Sequence, residues 1–385
     1  MKLKYILFAF ASAAVIAGCS KSRTEVSAPE VEPGENDPVP VTFSSASLGY
    51  ETKATKAMVT GEVMANLNIG IYGISSKISN PEVLLTPDDR DKLKYTVNWN
   101  PAVADTYIAD LVNKSVTTDG EGNIVFEPKI YYPLNSDKTF SFFGYFPYSP
   151  DVNNTQGQCT VTYDLTEQPD ILWAEDHARP LLIGSDYTYG FNARYVRKVD
   201  EVPAAQGDDR FHADLKFFHK LTALDFVVKT EDSEAGKMKV TGLELADVAT
   251  NVTLYIMSTD ETRHGTVVGN ANGDLQLSLI DGEGAPATDG VIVPNTDEGV
   301  SVGTIMLLPG TSYKANLTLA LTDGNGGWTE QSPMSVDITT TVTGGEFVAG
   351  NKYTLTLNIL SPVEVDIETS LDDWDDVDGG EITIG

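Results

Sequence analysis

Tyr353-Thr354-Leu355-Thr356-Leu357-Asn358-Ile359 is the stretch from which the fold class follows. Apolar and polar residues alternate strictly, so Tyr353, Leu355, Leu357 and Ile359 share one face of an extended chain, while Thr354, Thr356 and Asn358 share the other. A strand alternates side chains across its two faces, whereas a helix would scatter these four apolar groups around its axis. The same period runs through Tyr313, Ala315, Leu317, Leu319 and Leu321, and through Leu67, Ile69 and Ile71. Turn residues separate such runs: Asp119-Gly120, Asn272-Gly273-Asp274, and Asp323-Gly324-Asn325-Gly326, which reads as a hairpin tip. Helical spacing is scarce, and Pro81 to Lys94 is the best candidate for one short helix. Many short strands between tight turns predict an all-β chain built of β-sandwiches.

The chain has 385 residues, of which 41% are hydrophobic, an ordinary content for a globular protein. Its body is too long for one small sandwich and predicts two domains. The seam is expected near residues 200–212, where Asp200-Glu201-Val202-Pro203 leads into a polar segment ending at Asp208-Asp209. Domain one is placed at 41–205 and domain two at 210–385. A strong strand from Leu215 to Lys229 is expected to open the second domain. No short internal repeat is apparent.

The beginning of the chain reads as an address. Lys2 and Lys4 precede an apolar run from Tyr5 to Ala17, shorter than the roughly 20 residues a membrane helix needs. Residues 1–18 are therefore expected to be a signal peptide. The run ends in Ile16-Ala17-Gly18-Cys19, the pattern of a bacterial lipobox. Cleavage before Cys19 would free a thiol to carry lipid as a thioether. Residues 19–40, with Pro29, Pro33, Pro38 and Pro40 among Ser, Glu and Gly, read as a lipidated tether that cannot bury enough apolar surface to order itself. With Cys19 lipidated, Cys159 has no partner for a disulfide, and its alternating surroundings make it a small buried hydrophobe.

Charge narrows the partners. The formal net charge is −30, and loss of Lys2 and Lys4 with the signal takes it to −32. Such a surface argues against nucleic acid and anionic lipid as partners. The sequence offers no catalytic pattern. His177, His212, His219 and His264 lack partners at metal-ligand spacing, and His-Glu-x-x-His, a phosphate loop and a Gly-x-Ser-x-Gly elbow are all missing. His177 after Glu175-Asp176 reads as a polar turn, and His219 as a structural histidine in an apolar strand. No cofactor or metal is expected. Trp99, Trp173, Trp328 and Trp374 serve equally as core anchors or as sugar-binding surfaces.

The ends of the body match each other. Val39, Val41 and Phe43 share a face of a first strand, followed by Glu51-Thr52-Lys53-Ala54-Thr55-Lys56-Ala57, a small polar segment that its composition alone gives as a plain strand-to-strand loop and whose two Lys also make it a site for a trypsin-like protease. At the other end Val363, Val365, Ile367 and Leu371 alternate with Glu364, Asp366, Glu368 and Ser370. Ile382 and Ile384 make a second short alternation. Nine acids and no base lie between Val363 and the end, so this reads either as the ordinary last strand of domain two or as a strand that seeks a groove in another molecule.

Taken in order, these features resemble the fimbrillin family of major and minor subunits of Bacteroidales type V pili. The resemblance rests on the lipobox at Cys19, the Val41-Thr42-Phe43 strand leading to Lys53 and Lys56, and Ile130-Tyr131-Tyr132-Pro133 with Phe140 to Pro147. It also rests on Asp170-Ile171-Leu172-Trp173-Ala174, Leu215 to Leu221, Gly350-Asn351-Lys352-Tyr353 and Trp374. It implies two transthyretin-like sandwich domains in one outer-membrane lipoprotein precursor. A protease cut after Lys53 or Lys56 would remove the first strand, and a strand from the next subunit, drawn from Val363 to Ile384, would fill the groove. The family usually has Arg at the cut, and this chain has Lys. The expected partners are thus other fimbrial subunits, a trypsin-like protease and, before maturation, the outer membrane. A fimbrial tip adhesin and a glycan-binding surface lipoprotein are the alternatives.

Overall fold

Alternating sequence becomes paired strand throughout the computed structural model, which describes residues 37–44, 46–48, 64–78, 95–134, 138–177, 180–183, 186–189, 191–200 and 213–372. The early strands are β1 (Ser47–Leu48), β2 (Asn68–Ile78), β3 (Tyr95–Val97), β4 (Lys114–Thr117) and β5 (Thr139–Phe146). Next come β6 (Val152–Thr155), β7 (Gln158–Asp164), β8 (Leu172–Asp176), β9 (Pro180–Ile183) and β10 (Asp186–Tyr189), then the helix α1 (Ala193–Asp200). The chain continues with β11 (Lys216–His219), β12 (Thr222–Thr230), β13 (Met238–Ser258), β14 (Val267–Gln276), β15 (Val291–Ile292) and β16 (Val300–Leu307). It closes with β17 (Ser312–Thr322), β18 (Trp328–Glu330), β19 (Met334–Thr339), β20 (Lys352–Ser361) and β21 (Glu364–Asp372). The fold is nearly all β, as the periodicity predicts.

Four sheets result. A seven-stranded sheet runs β1-β11-β8-β5-β2-β3, with β4 also on β2. An eight-stranded sheet runs β18-β17-β13-β7-β6, with β14 and β15 also on β13 and β19 on β17. A four-stranded sheet runs β16-β12-β20-β21, and β9 pairs with β10 alone. The buried faces form two apolar clusters. One gathers Ile69, Ile71, Phe140, Phe142, Phe191, Leu215 and Phe217. The larger one gathers Phe226, Val228, Val240, Leu254, Leu317, Leu355 and Leu357, among others.

The described residues, which begin at Asp37, form one compact unit. Residues 201–212, where the seam was expected, lie outside the described residues, as does the helix candidate at 81–94. Strands from either side of that segment share sheets. β7 lies on β13, with Val161 opposite Leu254, and β11 lies on β8, with Phe218 opposite Trp173.

Two local expectations are corrected. The run from Leu215 to Lys229 is two strands, because its hydrogen-bond partners change at Lys220–Leu221. Lys220 N–H donates to Ile171 O (2.8 Å), whereas Gly350 N–H donates to Leu221 O (2.8 Å) and Ala223 N–H to Asn351 O (3.0 Å). The buried phase changes with them: β11 buries Phe217 and His219, residues from Leu221 to Phe226 are buried on both faces, and the alternation resumes on Phe226 and Val228, the opposite parity. Asn272-Gly273-Asp274 is the second case. It lies inside β14, facing irregular pairing in β13 around Asp247, whose φ is 53°. Asp274 Oδ1 accepts the Asp247 N–H (3.1 Å), so a side chain suited to closing a turn satisfies the bulge instead.

Candidate functional site

The first strand seats across two edges. Tyr132 N–H donates to Val39 O (2.9 Å) and Val41 N–H to Ile130 O (2.8 Å). Pro40 stands between them, opposite Tyr131, at an edge position where its missing N–H costs little. The chain then runs parallel to 213–217: Ser44 N–H donates to Ala213 O (3.0 Å), Ser47 N–H to Leu215 O (3.3 Å), and Leu48 lies opposite Phe217. Ser44 Oγ also donates to Asp214 Oδ1 (2.9 Å).

The side chains of this segment belong to the smaller core. Val39, Val41, Ala46 and Leu48 are buried, and Phe43 is partly buried. The Phe43 ring meets Phe142 and Phe126 edge-on, at centroid distances of 4.9 and 5.9 Å. A segment at the edge of a sheet therefore supplies part of a domain's interior. Residues 49–63, and with them Lys53 and Lys56, lie outside the described residues, as does Cys19.

At the other end, β21 folds back on β20. Val365 faces Ile359, Ile367 faces Leu357, and Leu371 faces Tyr353. Val365 and Ile367 pack against the larger core. Val363 and Leu371 are 84% and 44% exposed, Val363 because it sits in the turn before β21. Glu364, Asp366 and Glu368 point outward. Among the described residues β21 pairs only with β20, as the outer strand of its sheet. Ile382, Ile384 and Trp374 lie outside the described residues.

The histidines fall into two arrangements. His219 Nδ1 lies 2.9 Å from Asp170 Oδ1, both side chains buried, which is the structural histidine expected. His177 Nε2 and His264 Nδ1 each lie 3.2 Å from the same oxygen, Glu175 Oε2. Residues 175 and 264 are far apart in the chain, so no sequence spacing signals this meeting. His212 lies outside the described residues. Among the described residues, no group of three or more His, Cys, Asp or Glu side chains is arranged to hold a metal ion.

Cys159 is buried, and burial pushes its thiol well above the usual range. Trp99 and Trp173 are core anchors, their indole N–H groups donating to Thr155 O (2.7 Å) and Ile256 O (2.8 Å). Trp328 is partly buried beneath Lys239, whose ammonium lies 4.9 Å from a ring centroid. Among the described residues no helix is long and apolar enough to cross a membrane.

A family model described as fimbrillin-like matches residues 52–374. Among solved structures, the chain is similar to a fimbrial protein from Bacteroides vulgatus at 14% identity, covering 86% of this chain and 99% of that one, with a TM-score of 0.48. It is similar also to a tip fimbrial protein from Porphyromonas gingivalis with a C-terminal truncation, at 9% identity, 88% and 100% coverage and a TM-score of 0.38. No curated protein matches.

Proposed function

This chain belongs to the fimbrillin-like family, and from that premise we propose that it is a structural subunit of a cell-surface fimbria, exported as a lipoprotein precursor and assembled by protease-triggered strand exchange. In this reading its two cores belong to two transthyretin-like sandwich domains, Cys19 carries the lipid that holds the precursor at the outer membrane, and a trypsin-like protease cuts after Lys53 or Lys56.

The seating of residues 39–48 carries the proposal. A cut after Lys53 or Lys56 would separate this segment from the body covalently, leaving it held by its hydrogen bonds and by Val39, Val41, Phe43 and Leu48. Four such side chains stabilise the seated segment by about 6–12 kcal/mol through burial. Its departure would open the edges at Ile130–Tyr132 and Ala213–Phe217 together with an apolar groove. An incoming strand with the same alternation would restore ladder and core at once, which is β-augmentation.

The donor would come from the C-terminal tail of another subunit. Two segments have the required alternation: Val365, Ile367 and Leu371 in β21, with Val363 before it, and the pair Ile382 and Ile384. β21 is engaged by its own β20, so its donation would strip that edge.

Trypsin digestion of the purified full chain, read by mass spectrometry and by unboiled gel electrophoresis, tests the proposal. A single cut after Lys53 or Lys56 with a ladder of heat-sensitive multimers is expected. A chain that resists cutting there, or is cut and stays monomeric, overturns it. Paired Ser substitutions at Val365 and Ile367, and separately at Ile382 and Ile384, identify the donor by which pair abolishes the ladder.

A further inference from the structure

The contacts of His264 fix its protonation state. Its Nε2 meets the carbonyl oxygen of Ser258, which can only accept a hydrogen bond. Its Nδ1 lies 3.2 Å from Glu175 Oε2, and a carboxylate likewise only accepts. Both nitrogens must therefore carry a proton. His177 has no such requirement. Its Nε2 donates to Glu175, while its Nδ1 lies 2.8 Å from Ser141 Oγ, a hydroxyl that can donate, so the neutral ring suffices.

The rest of the loop between β13 and β14 is seated by close contact. Gly265, at φ 63°, lies against the Trp173 ring, and a Cβ there would stand 2.4 Å from it. Trp173 holds the end of β13 by its bond to Ile256 O, and Lys220 lies over the ring at 5.0 Å. Phe143 of β5 meets His264 edge-on at 5.4 Å, and Tyr95 stacks on His177 at 4.7 Å. His264 is the ionisable group that ties this loop to β8.

We propose that His264 is a proton-operated latch, which as imidazolium fastens the β13–β14 loop to β8 and on losing its proton lets the loop go.

The charges facing the latch agree with this. Burial opposes the imidazolium, but the Glu175 hydrogen bond and charge, the Ser258 carbonyl and the Glu261 charge outweigh it, so His264 titrates above its usual value. Burial also opposes the Glu175 carboxylate, yet His177 and His264 bring it down to about 2. Lys220 faces Glu175 from β11's end, with burial lowering its pKa and Glu175 partly restoring it. Asp260 and Arg263, in the loop itself, pair with each other at 3.8 Å, and Arg263 also reaches Tyr255. A histidine whose folded pKa is raised contributes stability that is complete below its unfolded value and is lost as pH rises through the folded one. The latch therefore holds below its folded pKa and releases as pH rises through it.

Hydrogen exchange of the full chain at pH 6 and pH 9, corrected for intrinsic rates, reads the loop directly. Protection over residues 256–268 is expected to fall by about tenfold for each unit by which the His264 pKa exceeds the free value. Glu175→Gln is the discriminating variant. Its amide can donate to neutral His264 and to His177, so the loop should stay protected at both pH values. The His264 ring, followed by NMR, should titrate above a free histidine in the parent chain and below it in E175Q. Protection that does not change with pH in the parent chain, or a pH response that survives in E175Q, overturns the latch.

Discussion

At the scale of single residues, three aspartates build one turn three times. Asp119, Asp281 and Asp323 each begin an Asp-Gly-x-Gly tetrapeptide. In each, the Asp N–H donates to the carbonyl four residues on, at 3.2, 2.8 and 3.0 Å. In each, Oδ1 accepts the N–H groups of the second and fourth residues beyond, as with Asn325 (2.7 Å) and Gly327 (2.8 Å) after Asp323. The repeat was present in the sequence, but four residues without apolar periodicity carry no weight in a search for repeated elements. The Asn325 and Gly327 N–H groups hold the exposed Asp323 carboxyl below its usual range. An acid with a depressed folded pKa contributes order that is present above its unfolded value and lost as pH falls through the folded one. Amide exchange at Asn325 and Gly327 should therefore quicken relative to intrinsic rates as pH falls from 5 to 2. In Asp323→Asn, which has no charge to lose, it should stay flat over the same range.

At the scale of elements, legibility followed the hydrogen-bond partner. Strands whose partner is fixed by hydrophobic alternation, such as β17 and β20, were readable, because one buried face is all that the pattern encodes. The split between β11 and β12 was not, because the stretch from Leu221 to Phe226 is buried on both faces and bridges the change from Phe217 and His219 to Phe226 and Val228, so two ladders in different sheets read as one strand. Nor could the pattern distinguish Val363 from Val365 and Ile367, all of which sit on alternating positions of the C-terminal tail. The turn places Val363 in solvent, while the next two apolar residues rest on the core. Ser at Val365 or at Ile367 should cost the uncut chain about 1–3 kcal/mol in urea unfolding, a half-buried share of a large-to-small core change. Ser at Val363 should stay within about 0.5 kcal/mol. Equal costs at all three positions would mean that β21 is not seated on its own sheet.

At the scale of the whole molecule, the first strand was legible and its route was not. Val39, Val41 and Phe43 announced a shared face, but nothing in the sequence says that the segment crosses from Ile130–Tyr132 to Ala213–Phe217. That route depends on strands more than 80 residues apart. The net charge of −30 adds a condition on assembly that no single contact reveals. Two copies repel each other before any tail can reach any groove, and the tail itself adds nine acids without a base. At about 0.01 M salt the screening length is about 30 Å and the repulsion acts across the approach; at 0.1 M it is about 10 Å and only near charges are felt. If whole-molecule repulsion governs the encounter, the cut chain should multimerise faster as salt rises over this range, as followed by light scattering. If instead cations at the groove mouth steer the acidic tail, the rate should fall with salt, as for any electrostatically guided association. The first outcome is expected here, because a cut after Lys53 leaves 21 bases against 50 acids, and repulsion is the long-range term whatever the local arrangement.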